Sequence, residues 1–432
     1  MKKITVCSIV AVFLLSSLVG FSCIDNVKAD AGKENNTLYV GGTSAGDYST
    51  IQNAIENASS GDTVYVYSGI YYENIKIGKS ISLEGEGKDD TIIDAGGDSD
   101  VVEITSEWIN ISGFTLRNGG GIVEKYGVEA PVGWGIFLKE VSNCCIENNI
   151  ITNTNSKGIH ILLSNNNIIQ NNQIKDVNNS GIYLRNSDGN HIIGNSINDG
   201  KATGICLSSS NENLVEENSI SDVDLQGIFI TSSGGNNLVS KNLVKKCQYG
   251  IGVSSGKNNV IQGNTLKNNE KIGFYLASSQ NNIVKNNAIQ DNVEKGVKLF
   301  SSNNNSIYHN NIINNTKSNV EDNGENNWYN TTLKEGNYYS DYNGEDNDGD
   351  RIGDTSYNIT GGNQEDPYPL MEPVTVDSDN LDESKDDKNG GTKEESDGKN
   401  KKDDKDGIPG FELLLLVFAA ICFVFWRKRR EN

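Results

Sequence analysis

The decapeptide EDNDGDRIGD, residues 345 to 354, places carboxylates at Asp346, Asp348 and Asp350 and returns one at Asp354. Oxygen donors at relative positions one, three, five and nine are a ligand set that calcium takes, so these four residues are the candidate metal ligands. The stretch departs from an EF-hand, because Arg351 stands where the turn glycine belongs and Tyr357 where a bidentate Glu belongs. A calcium loop of another type is the expectation. Copper needs clustered imidazole or soft sulfur. His160, His191 and His309 fall at different places of the repeat described next, and the chain beyond its leader retains only Met371, so copper chemistry is not expected.

Glycines at 135, 158, 181, 204, 227, 250, 273 and 296 are spaced by 23 residues throughout. One and three places after each stand aliphatic or aromatic residues, Ile136 and Leu138 through Val297 and Leu299, the alternation of a short strand with one buried face. The place between them points outward and reads Phe137, His160, Tyr183, Cys206, Phe229, Gly252, Tyr275, Lys298. Stacked coils would turn this column into a stripe of rings on which sugars lie, so Phe137, His160, Tyr183, Phe229 and Tyr275 are the candidate glycan-binding residues. The alternative is that these rings only shield a sheet surface, since aromatics also favour strands.

Cleavage of a polysaccharide needs two or three carboxylates, or carboxylate-bound calcium with a base, converging on an outer groove. The outward column contains no acid. Asp176, Asp199 and Asp222, eighteen places after successive glycines, would stack at a turn. Turn capping is the expected role, with a cation site or an acid pair as the alternative.

Further aliphatics recur eleven places after each glycine (Ile146, Ile169, Ile192, Val215, Leu238, Ile261, Val284, Ile307) and sixteen places after (Ile151 through Ile312). Each unit therefore sends three short strands inward, and only stacked coils can bury them. The expected fold is all-β: a right-handed parallel β-helix, a solenoid of 23-residue coils. A leucine-rich repeat has similar length but needs a leucine-dense consensus that is absent. Asparagines nine places after the glycine (Asn167, Asn190, Asn213, Asn236, Asn259, Asn282, Asn305) and fourteen places after, with Lys241 the exception, form two ladders that satisfy backbone groups and one another.

Open stacks need covered ends. DYSTIQNAIENASSGD reads as an N-terminal capping helix with Ser49 and Gln52 as a capping box and Ile51, Ala54, Ile55 and Ala58 as its apolar stripe. Irregular coils follow to Asn118, a loop over 119–134 interrupts the pattern, and the strict repeat occupies 135–318. Aromatic, turn-rich residues 319–373 read as the C-terminal cap.

Formal charge is −21, so a nucleic-acid partner, which would call for a basic surface, is not expected. Lys2 and Lys3 before the apolar run Ile4 to Val19, with small residues at Ala29 and Ala31, predict a signal peptide over 1–31 and an exported body from residue 32. Export permits disulfides, but Cys144, Cys145, Cys206 and Cys247 form no obvious framework, and buried or free thiols are expected. Eight N-glycosylation sequons, among them Asn35, Asn110, Asn304 and Asn358, fit an exported surface. Residues 374–407, rich in Asp, Glu, Lys, Ser and Gly, predict a disordered acidic linker. An apolar run, Leu413 to Trp426, with Arg427 to Arg430 behind it, predicts a C-terminal transmembrane or sorting segment over 408–432.

DYSTIQNAIENASSGDTVYVYSGIYYENIKI, the G-I-x-L and N-x-I coils and GNYYSDYNGEDNDGDRIGDTSYNITGGNQEDPYPL together resemble archaeal surface proteins of the NosD-like, carbohydrate-binding and sugar-hydrolase β-helix superfamily, over roughly residues 38 to 371. That group takes its name from a copper-binding accessory protein, but the label follows fold more than chemistry. Pro409, Gly410 and Phe411, ahead of the apolar run and basic end, resemble the archaeal PGF sorting signal. The resemblance implies an archaeosortase-like processing enzyme as a partner, and removal of the tail in favour of a lipid anchor. An uncleaved membrane anchor is the alternative. The expectation is an extracellular, surface-anchored protein that binds a polysaccharide or envelope glycan or builds the envelope. A polysaccharide lyase, hydrolase or epimerase is the alternative, and metal delivery the third.

Overall fold

The computed structural model describes residues 35–125 and 128–376. The expected leader, linker and Pro409-Gly410-Phe411 segment lie outside them. Among the described residues no helix is long and apolar enough to cross a membrane.

The chain winds into a solenoid with three parallel sheets of 12, 11 and 12 strands. Sheet 1 runs from Thr37–Val40 to Ser306–Tyr308, sheet 2 from Ile75–Ile77 to Ser318–Asp322, and sheet 3 from Gly69–Tyr72 to Tyr338–Tyr339. Each coil gives one short strand to each sheet, and like residues stack on like: Ile136 on Ile159, Ile159 on Ile182, Ile146 on Ile169 and Ile151 on Ile174. All of these are fully buried. The glycine at the head of each unit is required by packing, since a Cβ on Gly158 would lie 2.6 Å from the Gly181 carbonyl oxygen and 2.6 Å from Ile174 Cγ2.

Between strands the chain bends on paired residues with different tasks. The first adopts a left-handed conformation at the surface, as at Asn148 (φ 53°), Asn166 (φ 56°) and Asn171 (φ 55°), a conformation Asn tolerates. The second, Asn149, Asn167 or Asn172, points inward and is fully or almost fully buried. In the buried ladder each Oδ1 accepts from the backbone N–H and the amide of the coil before. Asn172 donates both to Asn195 (3.0 Å each), and Asn195 donates both to Asn218 (2.9 and 3.0 Å).

The period slips once. The ladder passes from Asn213 to Asn237 and then to Asn259, and from Asn218 to Asn242 to Asn264. One residue is added around Gly234-Gly235 and one removed before Tyr249, so the glycine spacing hides the shift. Asn236 is therefore the left-handed surface residue (φ 55°) and Asn237 the ladder member. Val239 stacks between Val215 and Ile261 in place of the expected Leu238, and Asn242 fills the slot next to Lys241.

Three further expectations are corrected. The helix Ile51–Asn57 buries Ile51, Ala54 and Ile55 as the stripe predicts, but its N-cap is Thr50, whose hydroxyl accepts from Asn53 N (3.4 Å). Gln52 N bonds Glu73 instead of completing a box with Ser49. The interruption at 119–134 is an antiparallel hairpin, Ile122–Lys125 with Val128–Pro131. A ninth coil does form, because Ser318–Asp322 adds to sheet 2 and Tyr338–Tyr339 to sheet 3.

A third, shorter amide ladder runs from Asn269 through Asn292 and Asn315 to Asn319, and all three ladders end on carboxylates. Asn326 donates to Asp322 (3.0 Å), Asn337 N to Asp366 (2.8 Å) and Asn319 to Asp341 (2.6 Å). Every ladder presents its donors toward the C-terminal end, so an acceptor-only group is the fitting terminus. Trp328 and Tyr339 plug the core there, nearly fully buried, with their polar atoms on Asp322 (2.9 Å) and Asp366 (3.1 Å).

Candidate functional site

Strand alternation and the stacking register place three outward columns on sheet 2. The central one runs in register from Phe137 through His160, Tyr183, Cys206, Phe229, Gly252 and Tyr275 to Lys298, as the spacing predicts. Beside it lies the column that precedes each glycine, with Trp134, Lys157, Gln226, Tyr249 and Lys295. This column carries the same 23-residue period, so its rings were there to be read in the sequence.

The face has two halves. In the first, Trp134 lies 4.3 Å from Phe137 and 4.8 Å from His160, centroid to centroid, and His160 lies 5.3 Å from Tyr183. Phe137 and His160 are 8% and 7% exposed, so the half-buried Trp134 and Tyr183 are the rings here with surface left. Lys157 Nζ stands 5.0 Å over the Tyr183 ring and 5.9 Å from Trp134, a cation–π arrangement. Burial, with Lys157 and Arg185 adding to it, pushes the His160 imidazole down to about 3, so it is neutral at ordinary pH. Both its ring nitrogens and Trp134 Nε1 are buried without a hydrogen-bond partner.

In the second half, Phe229 and Tyr275 stand two rungs apart in register, 6.4 Å between ring centroids, and Tyr249 meets Tyr275 edge-on at 5.5 Å. The close ring distance across an intervening rung is possible because that rung is Gly252. A Cβ there would sit 2.3 Å from the Tyr275 ring, so the tyrosine leans back over the glycine, and its hydroxyl accepts from Gln226 (3.2 Å). Burial pushes the Tyr275 phenol up to about 12. Gln226, Tyr249, Tyr275, Lys298 and Phe300 line a concavity of about 310 Å³.

From Trp134 to Phe300 the outward columns of this face carry no carboxylate; Glu103 and Asp100, whose carboxyl is pushed up by burial, lie one rung before them. Cys206 is buried and its thiol is pushed up to about 12 by that burial, which removes it as a nucleophile. Asp176, Asp199 and Asp222 sit in left-handed turns (φ 52°, 54° and 55°), exposed. The acidic group that does gather among the described residues is Asp346, Asp348 and Asp350, one oxygen of each within 4.8 Å of the others. Arg351 takes a left-handed φ of 74°, making the turn that a glycine was expected to make. Asp354, the expected fourth ligand, instead accepts from Asn347 N (2.8 Å) and Nδ2 (2.7 Å). The histidines are apart in function as in sequence: His309 pairs with Glu335 (2.7 Å), His191 lies on sheet 1, and His160 is packed among rings.

Comparison with known proteins agrees with this geometry. The family model described as right handed beta helix region matches residues 100–260, and that described as periplasmic copper-binding protein (NosD) matches residues 197–344. The chain is a right-handed parallel β-helix. Similar solved β-helices include a mannuronan C-5 epimerase A-module of Azotobacter vinelandii, at 14% identity and TM-score 0.54 over 68% of this chain and 95% of that one. The catalytic domain of a GH87 alpha-1,3-glucanase matches at 14% identity and TM-score 0.51, over 73% and 70%. The Dettilon tailspike protein matches at 16% and 0.52, over 70% and 68%. No curated protein matches by sequence. At such identities the likeness is one of fold.

Proposed function

We propose that this β-helix is an extracellular, surface-tethered protein whose sheet 2 face binds a polysaccharide or envelope glycan without cleaving it. The observation that carries the reading is the in-register ring column of Tyr183, Phe229 and Tyr275, flanked by Trp134 and Tyr249, on a stretch of sheet 2 that carries no carboxylate between Glu103 and Glu321. Flat apolar faces edged with polar groups suit pyranose rings. Retention of the purified protein on a panel of immobilised polysaccharides tests it. Binding that disappears in a Tyr183→Ala, Phe229→Ala double variant supports the ring stripe; binding unchanged by that pair removes it.

A second reading is a polysaccharide-active enzyme, favoured by the epimerase and glucanase among the solved β-helices of similar fold. Mass spectrometry of the glycan after incubation separates the two, since new oligosaccharides or epimerised sugars require catalysis. We further propose that Asp346, Asp348 and Asp350 hold calcium, and that Pro409, Gly410 and Phe411 direct processing to a lipid anchor. The mass of the mature C-terminus tests the latter. Copper delivery is a poor fit to three histidines that do not converge.

A further inference from the structure

We infer that the glycan taken by sheet 2 is polyanionic, its sugars carrying carboxylate or sulfate groups; this rests on the glycan reading above and adds the charge class. The chain as a whole carries −21, yet charge on this face runs the other way. Across the eight coils from Trp134 to Phe300, the three outward columns of sheet 2 hold Lys139, Lys157, Arg185, Lys295 and Lys298 and not one Asp or Glu. Residues 134–300 hold thirteen Asp or Glu against fourteen Lys or Arg, and these columns take five of the bases and none of the acids.

Carboxylates enter the central column only at its two ends, and each is matched by lysine. Glu103 pairs with Lys76 (3.0 Å), and Glu321 with Lys295 and with Lys298 (3.2 Å for the latter). The middle keeps its positive character, and the cations stand beside the rings. Lys157 covers Tyr183, Arg185 is exposed two residues further along the same strand and face, and Lys271 Nζ stands 5.3 Å over Tyr249. A ring to stack on with a cation at its edge recognises a sugar bearing an anionic substituent. The rungs of Tyr183, Phe229 and Tyr275 recur every second coil, ~10 Å at ordinary strand spacing. An extended polysaccharide laid along the solenoid axis can meet that repeat at alternate sugars.

The test is native affinity electrophoresis in gels cast with polygalacturonate, dextran sulfate or neutral hydroxyethylcellulose, with a single-stranded oligothymidylate measured by fluorescence anisotropy. The expected result is retardation by an anionic polymer at least about tenfold tighter than by the neutral one, weakening as sodium chloride rises. Whichever anionic polymer retards more identifies carboxylate or sulfate as the recognised group. Arg185→Glu, and separately Lys139→Glu, both exposed and thus compatible with folding, should each weaken anionic binding by about tenfold and leave neutral binding unchanged. Equal retardation by neutral and anionic gels, unaffected by Arg185→Glu, overturns the charge class while the glycan surface stands. No retardation in any gel removes both. Oligothymidylate bound as tightly as the glycans also overturns the inference, since the face would then be a general anion surface.

Discussion

Removing one amide from the middle of a buried ladder should destabilise the β-helix far more than its size implies. Asn195 is 1% exposed. Its Oδ1 is the acceptor for both Asn172 N and Asn172 Nδ2 (3.0 Å each), and its Nδ2 donates to the Ile169 carbonyl at 2.9 Å. In Asn195→Ala the Asn172 backbone N–H loses the acceptor the fold provides for it, in a space without water. An orphaned buried donor costs about 1–3 kcal/mol, and each lost net hydrogen bond about 0.5–1.5 kcal/mol more. The expected loss is about 3–5 kcal/mol. Ser196→Ala, exposed and first in the strand that follows Asn195, should stay within about 0.5 kcal/mol of the parent. Urea unfolding followed by far-ultraviolet circular dichroism measures both, and hydrogen exchange at Asn172 localises the effect, since a solenoid couples chiefly neighbouring coils. If Asn195→Ala unfolds within about 0.5 kcal/mol of Ser196→Ala, the ladder does not hold the coils in register and the reasoning fails.

Burial raises Asp366 from its ordinary 3.8 to about 6 in the folded state, so the native protein holds a proton there that the unfolded chain releases. Its contribution to stability is full below about 4 and declines as pH rises through about 6; the melting temperature of Asp366→Asn should lack that decline, and equal slopes for parent and variant would sink the assignment. Calcium should raise the melting temperature of the parent by mass action, and EGTA reverse it, with no response in Asp348→Asn; a calcium response retained by that variant places the ion elsewhere. Two glycines should respond oppositely to alanine. In Gly252→Ala the new Cβ meets the Tyr275 ring, which can turn aside, so glycan retention falls while the fold survives; in Gly158→Ala it meets the Gly181 carbonyl at 2.6 Å, at a cost of about 1–3 kcal/mol or more. Thermal melts and glycan retention of both variants check this, and equal destabilisation would refute it.

How much of this was legible from residues depends on whether a signal was local. Coil length, inward faces and the central ring column all follow from a side-chain alternation that repeats every 23 residues, and each is found in register. The slip at Asn237 escaped because the glycines on either side keep their spacing, although the doublet Gly234-Gly235 sits at the inserted residue. The N-cap moved from Ser49 to Thr50 because Glu73, twenty-two residues on, takes the free Ile51 N–H (2.9 Å), a tertiary partner no local box reveals. Two of the ladder-ending aspartates were illegible for the same reason: Asp341 meets Asn319 across twenty-two residues and Asp366 meets Asn337 across twenty-nine.

The division of labour within each coil explains why the candidate site resisted reading more than the fold did. Amide ladders, inward aliphatics and left-handed turns together fix the position of every coil from inside, which leaves those outward places of sheet 2 that stay accessible, Tyr183 and Arg185 among them, without a structural duty. Where packing dictates nothing, residue types are free to follow a ligand. The columns holding Lys157, Tyr183, Arg185 and Tyr275 therefore repeat in position while varying in identity. Over these eight coils the outward columns of sheet 2 hold five Lys or Arg and no carboxylate, although thirteen Asp or Glu stand elsewhere on the same coils. That exclusion, together with rings recurring every second rung, is what a ligand-facing surface requires and a passive one does not.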